Sequence, residues 1–194
     1  MAIWLGFHAL LRPGELLGLR AIHVTFGKRL ADLEDSALGM VTVIKPKTRR
    51  TAARIQHVLL EESRLCALLE LWKRLTPSGP LFNFTEATFA RRLRSLLRAV
   101  GCERLFGPGG LRAGGATYFW VKRRAFDQLR LRGRWKVPSS LEHYIQEAVT
   151  FLQTETEVDE ATHVRAEWLA ARVGVLLDEM ERSLSSRLVS SQEW

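Results

Sequence analysis

Long apolar runs are missing from this chain: no stretch approaches the ~18 residues that a membrane-spanning helix needs. The apolar opening MAIWLGFHALLRPGELLGL has no basic leader, and charge returns at Arg12 within a helical pattern, so it reads as a first core helix rather than a signal peptide. Cysteine is scarce. Cys66 and Cys102 are far apart and fit neither a CxxC nor a metal-ligand spacing, which excludes a disulfide scaffold and suits reduced thiols in an intracellular protein. The five histidines form no metal-ligand spacing either. With 6 Pro and 14 Gly in 194 residues, beside 46% hydrophobic and 26% charged residues, the composition excludes disordered and fibrous classes. The length allows one domain with a sizeable core, or one domain plus a tail. No internal repeat and no low-complexity segment is present. Tyrosine occurs only twice, at Tyr118 and Tyr144.

What the chain has in excess is positive charge. Lys and Arg number 29 against 21 Asp and Glu, a net charge of +8, and the pI is about 10.2. Such a balance favours a polyanionic partner through phosphate contacts and counterion release, without separating DNA from RNA or a membrane surface. The bases predominate from Arg29 to Arg134, in KPKTRR, FARRLRSLLR, VKRRAF and LRLRGRWK, whereas acids outnumber them from Glu142 onward.

Hydrophobic spacing from Ile3 to Leu19 predicts a helix interrupted at Pro13, with PGELLGL opening a second, short one. Arg12 then stands at a helix junction, where a side chain can be aimed. AIHVTF alternates like a strand, KRLADLEDSALG is a polar connection, and MVTVI and RIQHVLL form a hairpin around Pro46 whose tip carries Lys45, Lys47, Arg49 and Arg50. Helices are expected over Glu62 to Leu75, from a Thr85 cap to about Val100, and over Leu111 to Arg123, Ala125 to Arg132, Ser139 to Leu152 and about Val158 to Leu188. The expected architecture is α+β and mostly helical, with one small three-stranded antiparallel sheet near the N-terminal end.

Cutting a phosphodiester without metal needs an oxygen nucleophile, cations to neutralise a phosphorane-like transition state and an acid for the leaving 5′ oxygen. Arginine suits the second task through its planar, permanently charged fork. Lysine suits the third, because crowding and burial lower its pKa. Four segments hold such residues in order: ALLRPGELLGLRAIHV with Arg12 and Glu15; IKPKTRRTA on the hairpin; GGLRAGGAT with Arg112; and GRWKVPSSLEHYIQEA with Trp135 and Tyr144. Arg112 precedes Trp135 by 23 residues and Tyr144 by 32. From about Leu10 to Ile145 this order and spacing resembles the tyrosine recombinase (phage integrase) family, and GRW followed by Tyr is similar to its eukaryotic mobile-element members.

The resemblance implies a type IB topoisomerase-like catalytic core over residues 1–153 and a C-terminal helical extension over 154–194. It also implies a site-specific recombinase or integrase chemistry: Tyr144 attacks the phosphate, forms a 3′-phosphotyrosyl bond and releases a 5′ hydroxyl. Arg12 and Arg112 would clamp the non-bridging oxygens, Lys47, or its competitor Lys45, would protonate the leaving oxygen, the Trp135 indole would donate to the phosphate, and Glu15 would buttress the site. No metal or nucleotide cofactor is implied. The implied partners are double-stranded DNA and further copies of the chain, as a tetramer on DNA, with no membrane, in an intracellular setting that is nuclear if the source is eukaryotic. Lys45, Arg49, Arg50, Arg91, Arg94 and Arg98 are the candidate DNA contacts; for the last three a solvated basic helix face is the competing reading. Tyr144 itself could be a core aromatic, since Leu141, Ile145 and Ala148 share its face. One position departs from the pattern. Gly109 stands where the family places a histidine, which predicts a rate loss on the order of 10²-fold or more and leaves a silent DNA-binding remnant as the alternative function. The first motif begins almost at Met1, so the clamp-forming N-terminal domain of such recombinases is expected to be absent from this stretch. An apolar stripe through Val164, Trp168, Ala171, Val175, Leu176 and Met180 is expected to be covered by its own domain or by a neighbouring protomer.

Overall fold

The computed structural model describes residues 1–28, 37–44, 46, 54–99, 101, 106–145 and 160–190. Helix α1 (Ala2–His8) and the short α2 (Pro13–Leu17) are separated by a tight junction, and a 3₁₀ turn (Ala21–His23) leads into the sheet. Strands β1 (Val24–Lys28), β2 (Ala37–Val43) and β3 (Gln56–Leu60) form an antiparallel meander in the order β1-β2-β3. Helices α3 (Ser63–Leu75), α4 (Glu86–Ala99), α5 (Gly110–Arg123) and α6 (Phe126–Gly133) follow, then α7 (138–145) and the long α8 (Glu160–Ser190).

The sheet pairs Val24 with Val41 and Val41 with Val58, and all three are buried. Their period of two sends Thr25 and His57 outward. Local chemistry sets the helix starts. The Glu62 carboxylate accepts the Leu65 N–H at 2.6 Å, and the Thr85 hydroxyl accepts the Thr88 N–H at 3.2 Å, each satisfying a donor that the first helical turn leaves unpaired.

The apolar residues divide into two clusters. The first joins Leu5 and Leu11 to Leu16, Val41, Leu65, Leu69, Phe89 and Leu111, between the sheet and helices α1 to α5. The second joins Leu10 to Ala116, Phe119, Leu129, Trp135 and Leu141, with Tyr144 and Ile145 packed against it. Consecutive residues Leu10 and Leu11 thus serve different clusters. The division follows from the backbone: Leu10 has φ +50, its N–H donates to the Phe7 carbonyl at 3.4 Å and the Leu11 N–H to the Gly6 carbonyl at 3.1 Å. This is the paired closure of a helix end on a left-handed residue, here a leucine where glycine is usual, and it turns the chain so that neighbouring side chains diverge.

Helices α1 and α5 approach closely at Gly115, where an added Cβ would lie 2.2 Å from the Phe7 carbonyl oxygen and 2.6 Å from Leu10 Cδ2. Three expectations need correction. The segment AIHVTF is strand only from Val24, because Ala21–His23 form the 3₁₀ turn. Strand β2 begins at Ala37, inside the stretch assigned to a polar connection. The stripe on α8 is not covered by its own domain: within the single chain Val164, Trp168, Val175 and Leu176 are each exposed, and among the described side chains of α8 only Leu184 is buried. Helix α8 instead lies along α3, tied by Arg64, which donates to the Gly174 carbonyl at 3.1 Å and pairs with Asp178.

Replacing Gly115 by alanine adds helix propensity but overfills the α1–α5 contact. The expected outcome is a net loss of about 1–3 kcal/mol, read as a lower urea midpoint with an unchanged slope.

Candidate active site

The site lies where the two apolar clusters meet. Arg12 is the residue before α2, in extended conformation with φ −70 and ψ 152. Its backbone N–H donates to Glu15 Oε2 at 3.0 Å and its Nη1 to Glu15 Oε1 at 2.8 Å. The side chain of Glu15 is only 4% exposed. Its second oxygen also accepts Arg134 Nη2 at 2.7 Å, so one buried carboxylate is held between two guanidiniums. Arg112, on the first turn of α5, donates through Nη1 to the Leu10 carbonyl and through Nη2 to the Gly133 carbonyl at 2.5 Å. The Leu10 carbonyl also accepts Arg134 Nη2 at 3.2 Å.

Three residues at the end of α6 act as a unit. An added Cβ on Gly133 would lie 1.5 Å from Trp135 Cζ3, so the indole occupies the space that any larger residue would need. Arg134 takes the left-handed conformation, φ +59, that glycine usually takes one residue beyond a helix. Its N–H donates to the Leu131 carbonyl and that of Trp135 to the Arg130 carbonyl, both at 3.0 Å, repeating the closure seen at Leu10. The turn folds Trp135 back so that its ring lies 4.3 Å from the Arg112 guanidinium carbon, in cation–π contact. The other neighbour of Trp135 is Tyr144, with ring centroids 5.5 Å apart and planes at 57°. Tyr144 is half-buried, and Leu141, one turn earlier on α7, is fully buried.

Three arginines against one glutamate leave the site strongly cationic. Burial alone would raise the Glu15 carboxyl, but Arg134, then the backbone and side chain of Arg12, hold it below its ordinary value near 4.5. Burial, reinforced by the charges of Arg12 and Arg134, pushes Arg112 down to about 9, with Glu15 and Tyr144 acting in the opposite direction. Burial also lowers Arg134, aided by Arg12 and opposed by Glu15. All these guanidiniums remain charged at neutral pH, and Arg112 keeps its Nε–H and one N–H on each Nη beyond the two bonds to carbonyls. The arrangement can bind a tetrahedral anion beside a phenol. Among the described residues no group of three or more His, Cys, Asp or Glu could hold a metal ion.

The structure therefore brings Arg12, Glu15, Arg112, Trp135 and Tyr144 into one connected set. Gly109 lies at the start of α5, beside this set in sequence, and an added Cβ there meets nothing within 4 Å. Arg91, Arg94 and Arg98 are exposed on α4 and take no part in the hydrogen bonds described for the set. Lys45, Lys47, Arg49 and Arg50 lie outside the described residues. Sequence reasoning missed Arg134 and the Leu10 carbonyl. One signal was readable: the glycine of GRW falls one residue before the helix-ending position where glycine is expected. A cavity of about 330 Å³ between β3, α5 and α6 is lined by Leu59, Phe119, Leu129 and Leu131, without Arg12, Arg112 or Tyr144. It is separate from this chemistry. A second ion-pair group borders it: Glu61, just after β3, pairs with Arg123 at 2.7 Å and Arg132 at 3.5 Å, joining the hairpin to α5 and α6.

Two solved structures share this architecture. A XerH site-specific recombinase bound to a palindromic difH substrate, in a post-cleavage complex, superposes with TM-score 0.60 at 17% identity over 81% of this chain. XerH in a pre-cleavage complex with difH gives TM-score 0.57 at 20% identity over 76%. The fold is tyrosine recombinase-like. This chain spans 44% and 43% of those two recombinase chains. No protein-family profile and no curated protein matches the sequence. The expected helical domain with a three-stranded antiparallel sheet is thus observed, and among the described residues no helix is long and apolar enough to cross a membrane.

Replacing Glu15 by glutamine leaves Arg12, Arg112 and Arg134 without their shared counter-charge, and a loss of about 3–5 kcal/mol at neutral pH is expected. Because the folded pKa is depressed, the stability it contributes is present above about pH 4.5 and lost as pH falls through the folded value. Urea melts across pH 3 to 7 should therefore show a shallower acid limb in Glu15→Gln than in the parent.

Proposed function

We propose that this chain is the catalytic domain of a DNA recombinase that cuts and rejoins strands through Tyr144. The observation that carries the reading is the connected set of three arginines, a tryptophan and a half-buried tyrosine, in which one buried glutamate pairs with Arg12 and Arg134 and the Leu10 carbonyl links Arg134 to Arg112. It occurs in a fold shared with a recombinase captured before and after cleavage of its DNA substrate. In this reading the Tyr144 hydroxyl attacks the scissile phosphorus, its proton passes to solvent or a neighbouring base, and the bond to the 5′ oxygen breaks. A 3′-phosphotyrosyl ester forms, and a 5′ hydroxyl from the same or another strand reverses the step. Arg12 and the free N–H groups of Arg112 neutralise the non-bridging oxygens, where preorganised donors have most effect. Trp135 holds Arg112 and Tyr144 in register and is the proposed indole donor to the phosphate. Lys47 is the proposed acid for the leaving oxygen. A tetramer on double-stranded DNA and a mobile-element or integrase role belong to the same reading.

The test is a nicked suicide duplex, in which loss of a short strand traps the covalent product. A protein–DNA band resistant to denaturant is expected with the parent and none with Tyr144→Phe. A salt-sensitive gel shift without any covalent band, even with a clamp-forming domain supplied, would sink the catalytic reading and leave a DNA-binding remnant. A Cβ at Gly109 meets nothing within 4 Å, and Gly109→His should raise the rate of covalent-complex formation by about 10²-fold.

A further inference from the structure

We propose that Arg134 is the positioning residue of this site: through one guanidinium nitrogen it sets the Glu15 carboxylate and the Leu10 carbonyl, and through them aims both Arg12 and Arg112. The inference rests on the recombinase reading above for its kinetic consequence, but its geometric basis is independent of that reading.

Arg134 is held in two unfavourable ways. It is a non-glycine residue at φ +59, a conformation disfavoured by its Cβ. Its side chain is 6% exposed, and its Nε and Nη1 are buried with no hydrogen-bond partner among the described residues, an arrangement that weakens the folded state. Glycine at 134 would relieve both. What the arginine supplies instead is Nη2, placed 2.7 Å from Glu15 Oε2 and 3.2 Å from the Leu10 carbonyl.

Both acceptors are shared with the proposed phosphate-binding arginines. Oε2 is the oxygen that takes the Arg12 backbone N–H at 3.0 Å, so fixing it leaves Oε1 to orient the Arg12 guanidinium at 2.8 Å. The Leu10 carbonyl is one of the two that anchor Arg112, the other being Gly133, the residue before Arg134. The guanidinium also spans the two chain reversals, at Leu10 and at Arg134 itself. A lysine ammonium has donors enough for both acceptors but carries them on a flexible stem, without the preorganised plane of a guanidinium. Strain tolerated where it orders reacting groups, rather than where it stabilises packing, is the pattern expected of a functional site.

Arg134→Gly separates the backbone from the guanidinium, because glycine favours the existing φ and the fold should persist. Three measurements on the full chain read the result. Covalent-complex formation on the nicked duplex should slow by about 10²-fold, with duplex affinity changed less than about threefold, and low-millimolar guanidine should recover about tenfold of the rate by occupying the vacated space. Arg134→Lys should fall between Arg134→Gly and the parent. The Glu15 carboxyl, followed by carbon-13 NMR, should titrate at higher pH in Arg134→Gly, since Arg134 is the leading charge holding it down. Cleavage at the parent rate, or a slowed rate with neither guanidine recovery nor a moved Glu15 titration, overturns the proposal. If the parent itself forms no covalent product, even with a clamp-forming domain supplied, the recombinase reading fails on its own. The Glu15 titration then decides the role of Arg134, an unmoved titration counting against it.

Discussion

A single buried carboxylate organises this protein's charged centre. Glu15 sits among Arg12, Arg112 and Arg134, and its two oxygens accept from the backbone and side chain of the first and the side chain of the third. Three guanidiniums brought this close repel one another and would be expelled to water without a counter-charge, since a buried unpaired ion is far more unfavourable than a paired one. The carboxylate makes the cluster tolerable while leaving a net positive charge beside a phenol. Its own charge is secured in turn, because the arginines hold its pKa down against the effect of burial.

The GRW triplet is best understood as one mechanical device. Gly133 leaves room for an indole that would collide with any Cβ and offers its carbonyl to Arg112; Arg134 reverses the chain; Trp135 then lies between Arg112 and Tyr144. A second reversal at Leu10 places another carbonyl in the same space and directs adjacent leucines into separate apolar clusters. Gly115 lets α5 press against α1 at this point. Close packing of two small clusters therefore sets the distances between charged groups, and the site is only as well ordered as those contacts.

Much of this was legible in the residues. Helical spacing and capping signals located α3 to α6 within one or two residues, because those signals are local: Glu62 and Thr85 each bond within their own first turn. Glu15 is singled out beside Arg12 only through the family resemblance, although the two lie three residues apart at a helix start, within reach of local reasoning. The 3₁₀ turn at Ala21–His23 was not, since AIHVTF alternates through it. Periodicity likewise shows that α8 has an apolar face but not which surface meets it: within this chain Val164, Trp168, Val175 and Leu176 stay exposed, while Arg64 of α3 is tied to Gly174 and Asp178.

The sequence by itself determined which residue types were available, in what order, and which segments would be helix or strand, because propensity, capping and period act over a few neighbours. The tertiary structure alone decided that Arg134, absent from any sequence-based list of candidates, would reach Glu15 across 119 positions and share the Leu10 carbonyl with Arg112. It also decided that Trp135 would lie under Arg112 rather than merely follow it. Those contacts depend on where two chain reversals and one helix crossing place atoms distant in sequence, and no local rule encodes that placement.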